Sequence, residues 1–246
     1  MRGWPGVNWV WVPEVDSTNA LAERLMDAWL ADTDAALPPT LICADVQWAG
    51  RGRGGRTWQS PRGGVYASFL LWVGVEALPW VPLAAGVALV SGVRALVPWV
   101  ERALKWPNDL EVDRRKLGGI LCGSRVQGER AWTVTGFGVN VAATPLLPGE
   151  GRQAVSLSEL GYAGSFEAAR EALVDTFVTT FPKLLASPEE VRRRWLSESV
   201  HARGERLSVR TGSGVVQGEF VDLSPEGLLL LQTGSRTLRL AAGEIC

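Results

Sequence analysis

Three stretches of the chain carry residue types that could bind and activate an anionic substrate. The first is Gly50-Arg51-Gly52-Arg53-Gly54-Gly55-Arg56-Thr57-Trp58. Its glycines free backbone N–H groups to approach a ligand, and its guanidiniums gather positive charge, which suits a phosphate or a polyanionic transition state. Taken alone, a solvated basic loop is the simplest account, because short glycine-arginine runs arise by chance. An RNA-binding segment is a weaker alternative, since no aromatic surface is interleaved with the charge.

The second stretch is Lys105-Trp106-Pro107-Asn108-Asp109-Leu110, a turn fixed by proline between strand-like residues. A lysine, an amide and a carboxylate projecting from one turn could together hold phosphate, nucleotide and Mg²⁺. An ordinary hairpin turn explains the same residues. The third is Arg114-Arg115-Lys116-Leu117-Gly118-Gly119-Ile120-Leu121. There the glycine pair would let backbone lie against a ligand while Lys116 reaches a carboxylate, or else the glycines mark a bulge behind a charged turn.

The elements that must position these stretches can be read from periodicity. Asp16-Ser17-Thr18-Asn19 offers N-cap residues to a helix with Leu21, Leu25 and Trp29 on one face. Leu41 to Gln47 and Val65 to Trp72 read as strands on either side of the Gly/Arg loop. Leu83 to Val97 is a buried helix ended by Pro98, and short strands follow at 104–106, 110–112, 117–122 and 131–141. Further helices are expected around Phe166 to Phe177 and from Pro188 through Leu196. From Glu205 the pattern changes to short β runs separated by TGSG, SPEG and TGS, which predicts a small β-barrel. The expected fold class is α+β: a mixed or antiparallel sheet with flanking helices over 1–200, and the barrel over 203–246.

Composition limits the chemistry. With 25 Lys+Arg against 26 Asp+Glu, no overall field draws the protein to nucleic acid or anionic membrane. The apolar stretch 81–97 is interrupted by Pro82, Gly86, Ser91, Gly92 and Arg94, so no membrane span is expected, and the N-terminus lacks the features of a secretory signal. A cytoplasmic protein is the expectation. Cys43, Cys122 and Cys246 are odd in number and widely spaced, which suggests neither disulfides nor a thiolate zinc site. His201 is the only histidine, so multi-histidine metal sites are excluded and a histidine triad has little room.

The combination GRGRGGRTW, KWPNDL and RKLGGIL, preceded by DSTN and followed by GFGVN, resembles the motif set of biotin protein ligases. The likeness runs by motif from about Glu14 to Asn140, and the terminal β module matches the family's layout. It implies a catalytic domain like that of class II aminoacyl-tRNA synthetases, and a monofunctional member without a DNA-binding domain. It also implies a two-step reaction: biotin and ATP give biotinyl-5'-AMP and pyrophosphate, and biotin then passes to a lysine of a biotin carboxyl carrier protein. No DNA or membrane partner is expected, and a homodimer is compatible with the resemblance.

Carried over residue by residue, the resemblance implies biotin contacts for Ser17, Thr18, Asn19 and Gln47, with Gly50, Arg51, Gly52 and Gly119 lining the same ligand. Arg51, Arg53 and Lys116 would hold the biotin carboxylate and the phosphate together. Arg56, Trp58, Lys105, Asn108 and Asn140 would meet the nucleotide, and Asp109 would hold Mg²⁺. Arg51, Arg53, Lys105, Asp109 and Lys116 form the implied catalytic group. The loop is expected to be mobile without ligand and to order over the adenylate. Family members often carry arginine where Gly54 stands, so this loop is less basic than usual. A lipoate or octanoate ligase of the same fold is the nearest alternative, and an RNA- or anion-binding module a more distant one.

Overall fold

Leu41 to Ala44 and Val65 to Leu70 are nearly unbroken apolar runs, and both lie at the centre of a sheet covered on its two faces. The computed structural model describes residues 4–32, 37–101, 103–145 and 153–246. Its large sheet consists of β1 (Asn8–Val15), β2 (Thr40–Gln47), β3 (Gly64–Gly74), β4 (Leu104–Lys105), β5 (Asp109–Val112), β6 (Arg115–Gln127) and β7 (Arg130–Asn140). The strand order is β1-β2-β3-β7-β6-β5-β4, with β1 parallel to β2 and every other pair antiparallel.

Alternate residues of the strands face different helices. Ile42, Leu70, Trp132 and Val134 pack with Ala22 and Met26 of α1 (Thr18–Asp32). Leu41, Cys43, Ala67, Phe69 and Phe137 face α2 (Val81–Leu96) and α3 (Phe166–Leu185), with Phe69, Phe177 and Phe181 in mutual ring contact. Period-two alternation thus builds two cores from one set of strands.

Pro82 fits the first turn of α2, and the helix stops at Leu96 ahead of Pro98. Together with the 3-10 turn before it, the segment Val75–Leu96 reaches the length and apolarity of a membrane span, contrary to the expectation from its interruptions. It packs against the sheet, α3 and α4 (Pro188–Glu198), and core burial accounts for its composition. Ser165 caps α3, its side chain accepting from the Ala168 N–H at 3.2 Å.

The C-terminal strands β8 (Arg206–Thr211), β9 (Gly214–Leu223), β10 (Leu229–Thr233), β11 (Arg236–Leu240) and β12 (Glu244–Ile245) form a five-stranded antiparallel sheet in the order β11-β10-β9-β8-β12. Its inward residues Leu207, Val209, Phe220, Leu231 and Ile245 are continuous with the main core, and Phe220 meets Trp195 of α4 edge-on at 6.5 Å. The C-terminal sheet therefore shares its hydrophobic core with the rest of the chain instead of enclosing one of its own.

Candidate functional site

The site lies on the α1 face of the large sheet, where the N-terminus of α1 meets the ends of β2, β6 and β7. Helix α1 begins at Thr18, with the Ser17 carbonyl accepting from the Leu21 N–H. The side chains of Thr18 and Asn19, read from sequence as cap candidates, turn into the protein. Thr18 gives its backbone N–H to Gln47 Oε1 at 2.8 Å, and Asn19 Nδ2 donates to the Leu121 carbonyl at 3.0 Å. Gln47 Nε2 in turn donates to Ser60 Oγ at 2.8 Å. Ser17, Thr18 and Asn19 are buried, and Thr18 and Asn19 have hydrogen-bond partners within the protein.

The floor is bare backbone. A β-carbon on Gly136 would stand 1.8 Å from Asn19 Oδ1, and one on Gly138 would stand 2.5 Å from Trp58 Nε1. Gly119, opposite Gly138 in the β6–β7 ladder, lies below Trp58 and beside the Lys116 and Asp109 side chains. Gly118 meets the Gly138 carbonyl so closely that a β-carbon would come within 2.6 Å of it. The β5–β6 register shifts between Leu110 and Glu111, so the bulge falls at Leu117, while Gly118 and Gly119, the residues offered as marking one, pair in register with Leu110 and Asp109. The charged turn Asp113-Arg114 has positive φ at both residues, as a two-residue hairpin requires.

The cationic end comes from the loop and the β6 strand. Lys116 Nζ is 3.0 Å from Asp109 Oδ1, both side chains are largely buried, and the ammonium sits 5.3 Å from the centroid of the Trp58 ring. Arg53 donates from Nη1 to Asn108 Oδ1 at 3.0 Å and from Nη2 to the Gly243 carbonyl at 2.9 Å. Burial pushes the Arg53 guanidinium below its usual value, while Asp109 and Glu244 pull it back up. Arg56 pairs with Glu244 at 2.7 Å and Arg51 with Glu23 at 3.0 Å. The Gly/Arg loop is thus fastened at four points, two of them, Gly243 and Glu244, on the C-terminal sheet or its approach.

One cavity is lined by Ser17, Thr18, Asn19, Gln47, Arg51, Gly52, Arg53, Arg56, Trp58, Asn108, Asp109, Lys116 and Gly119. It also takes in Thr57, Ile120, Leu121, Gly136, Phe137 and Gly138, which lie within the motifs but were not expected individually as site residues. The alternating glycines of GFGVN in a strand were the signal that could have marked Gly136 and Gly138. Ser60 and Ser68, which hold Gln47 and Thr18, carry no such signal.

Three expected residues lie off the cavity. Lys105 is paired with Glu111 at 3.1 Å, both largely buried. Asn140 is buried and donates to the carbonyls of Lys116 and Val155, which fixes the start of β6. Gly50 lies beneath the loop, accepting from the Trp58 N–H at 2.9 Å, where a β-carbon would meet the Trp58 carbonyl at 2.3 Å.

The cavity holds about 80 Å³. Pockets for small organic ligands span roughly 300–1,000 Å³. The space between the loop, Trp58 and the glycine floor is therefore smaller than such a ligand needs.

Fixed polar groups at one end, and the Lys116 and Arg53 cations beside a glycine floor at the other, thus line one cavity. Residues 14–140 match the biotin/lipoate A/B protein ligase family, and residues 204–246 match the biotin protein ligase C-terminal domain. The chain belongs to the biotin/lipoate A/B protein ligase family. It is 33% identical over 253 residues to a biotin–[acetyl-CoA-carboxylase] ligase of Mycobacterium tuberculosis, covering 95% of this chain and 86% of that one. The bifunctional ligase/repressor BirA of Bacillus subtilis is 30% identical over 217 residues, and this chain spans 65% of its length. A biotin protein ligase from Aquifex aeolicus in complex with biotin and ATP superposes with a TM-score of 0.74 at 27% identity, covering 97% of each chain.

Proposed function

We propose that the protein is an ATP-dependent ligase that forms biotinyl-5'-AMP from biotin and ATP and transfers biotin to a lysine of a biotin carboxyl carrier protein. The observation that carries this reading is the convergence of Thr18 and Gln47 with Arg53 and Lys116 on one cavity. A cyclic urea is selected at the first end by hydrogen-bonding groups already fixed in place. At the second end, Lys116 and Arg53 hold the carboxylate and the α-phosphate, two anions that repel each other in water.

In the first step a carboxylate oxygen attacks the α-phosphorus and pyrophosphate leaves. Charge accumulates on the phosphoryl oxygens, and pre-oriented cations lower that barrier without having to reorganise. In the second step the acceptor amine attacks the acyl carbon, loses a proton and expels AMP. Trp58 would pack beside the adenylate, and its indole N–H, buried with no protein acceptor among the described residues, would be open to a ligand oxygen. Loop closure would keep water from the mixed anhydride.

We assign Mg²⁺ to the nucleotide. Among the described residues no group of three His, Cys, Asp or Glu side chains could hold a metal, and Asp109 is paired with Lys116. That suits an ion carried by substrate phosphates with at most one or two protein carboxylates. We take 1–200 as the catalytic unit and 203–246 as a C-terminal module, a division supported by the two family matches. A cytoplasmic setting is supported by the free thiols of Cys43, Cys122 and Cys246.

The test is ATP–pyrophosphate exchange with biotin, lipoate or octanoate as the only acid. Exchange that depends on biotin supports the reading. Exchange supported by lipoate or octanoate alone rejects it.

A further inference from the structure

Strand β5 carries two carboxylates on one face. Asp109 and Glu111 alternate with the buried Leu110 and Val112, so both turn away from the core. Lys105 of β4 and Lys116 of β6 do the same beside the buried Leu104 and Leu117. The four charged side chains therefore share one surface, and each is at most 15% exposed. Charges so far from water need partners.

The register offers one set of partners, and the side chains adopt another. Lys105 stands opposite Asp109, and Glu111 opposite Lys116, positions from which side chains on one face meet directly. The ion pairs nevertheless cross: Lys105 Nζ is 3.1 Å from Glu111 Oε2, and Lys116 Nζ is 3.0 Å from Asp109 Oδ1. Lys116 and Asp109 line the cavity, and Lys105 and Glu111 do not. Among the described residues Lys105 alone forms an ion pair with Glu111. Without it, Glu111 would be a buried, uncompensated carboxylate across the ladder from Lys116, and would draw that ammonium off Asp109 and out of the cavity.

We propose that Lys105 is a positioning residue: by occupying Glu111 it leaves the Lys116 ammonium in the cavity for the anions of the substrate. Only the kinetic consequence rests on the ligase reading.

The test compares wild type, Lys105→Met and Lys105→Met/Glu111→Gln by crystal structure and by biotin-dependent ATP–pyrophosphate exchange. The assay is run at pH about 8, where His201, which feels the charges of Lys105 and Glu111 and is held by burial below its usual range, is neutral. Lys105→Met is expected to place Lys116 Nζ on Glu111 and to lower exchange about 100-fold, the scale of losing one pre-organised donor. Removing the carboxylate as well returns Lys116 to Asp109 and recovers at least about ten-fold of that loss. A double variant as slow as the single one, or Lys116 still on Asp109 in Lys105→Met, overturns the proposal. If Lys105→Met does not fold, the double variant carries the test, since it buries neither charge: exchange about 100-fold below wild type in that folded protein overturns the proposal. A wild type without biotin-dependent exchange overturns the ligase reading, and the position of Lys116 in the Lys105→Met crystal then decides the proposal by itself.

Discussion

A β-carbon on Gly138 would stand 2.5 Å from the indole nitrogen of Trp58, so the bare backbone of β7 is the seat of the tryptophan that closes the site. The contact is to a rigid indole held under the loop, which has no flexible end to give way. Gly138→Ala is expected to lift Trp58 off its seat and lower kcat/KM for biotin by about 10- to 100-fold, the scale of a small misplacement near reacting groups. Steady-state kinetics with a melting curve checks this, and wild-type activity in the folded variant would contradict it.

Lys116 is the buried cation nearest the glycine floor, with Asp109 at 3.0 Å. Lys116→Ala is expected to slow adenylate formation by about 10²- to 10³-fold, the usual effect of losing one pre-organised stabilising donor. Transfer from pre-formed biotinyl-5'-AMP to the carrier should fall much less. Single-turnover assays of the two half-reactions separate these, and an equal loss in both would remove Lys116 from the first step.

The 80 Å³ cavity is smaller than pockets for small organic ligands, so the loop is expected to shift when one binds. Its fastenings to the C-terminal sheet are the Arg53 bond to the Gly243 carbonyl and the Arg56–Glu244 pair. Glu244→Ala is expected to raise hydrogen exchange over residues 50–58 and to increase release of the adenylate into solution. A non-hydrolysable adenylate analogue should restore protection. Exchange that is the same with and without the analogue would contradict a moving loop.

His201 has its Nδ1 toward Glu205 and a buried Nε2 without a partner among the described residues. Burial pushes it below the usual histidine range, against the upward pull of Glu205. Above pH about 6.5 the imidazole is neutral in both folded and unfolded chains. As pH falls through that value the unfolded chain takes up the proton first, so stability is lost, by at most about 1.4 kcal/mol per pH unit. Urea unfolding between pH 5 and 8 should show this component, and His201→Gln should remove it. Equal slopes in both proteins would contradict it.

Much of this arrangement was readable from residue order. Unbroken apolar runs gave β2, β3 and α2, and the three glycine- and lysine-bearing turns marked most of the cavity. What could not be read was how side chains are spent. Thr18 and Asn19 were open to two readings, as helix caps and as ligand contacts, because capping and ligand recognition use the same groups. Lys105 resembled a phosphate contact because nothing in the order of residues shows that Glu111, across the hairpin, neutralises it. Ser68 sits in an apolar strand, and only the sheet register brings its hydroxyl beneath the start of α1. The shared core of the C-terminal sheet was hidden for the same reason, since Phe220 and Trp195 meet only in three dimensions.

The central claim is tested most directly by transfer of labelled biotin to a biotin carboxyl carrier domain in the presence of ATP and Mg²⁺. The account predicts label on the carrier lysine, with AMP and pyrophosphate formed in equal amounts, and loss of about 10²-fold or more in Arg53→Ala and Lys116→Ala. Absence of label in the wild type, or labelling that is unchanged in both variants, would contradict it.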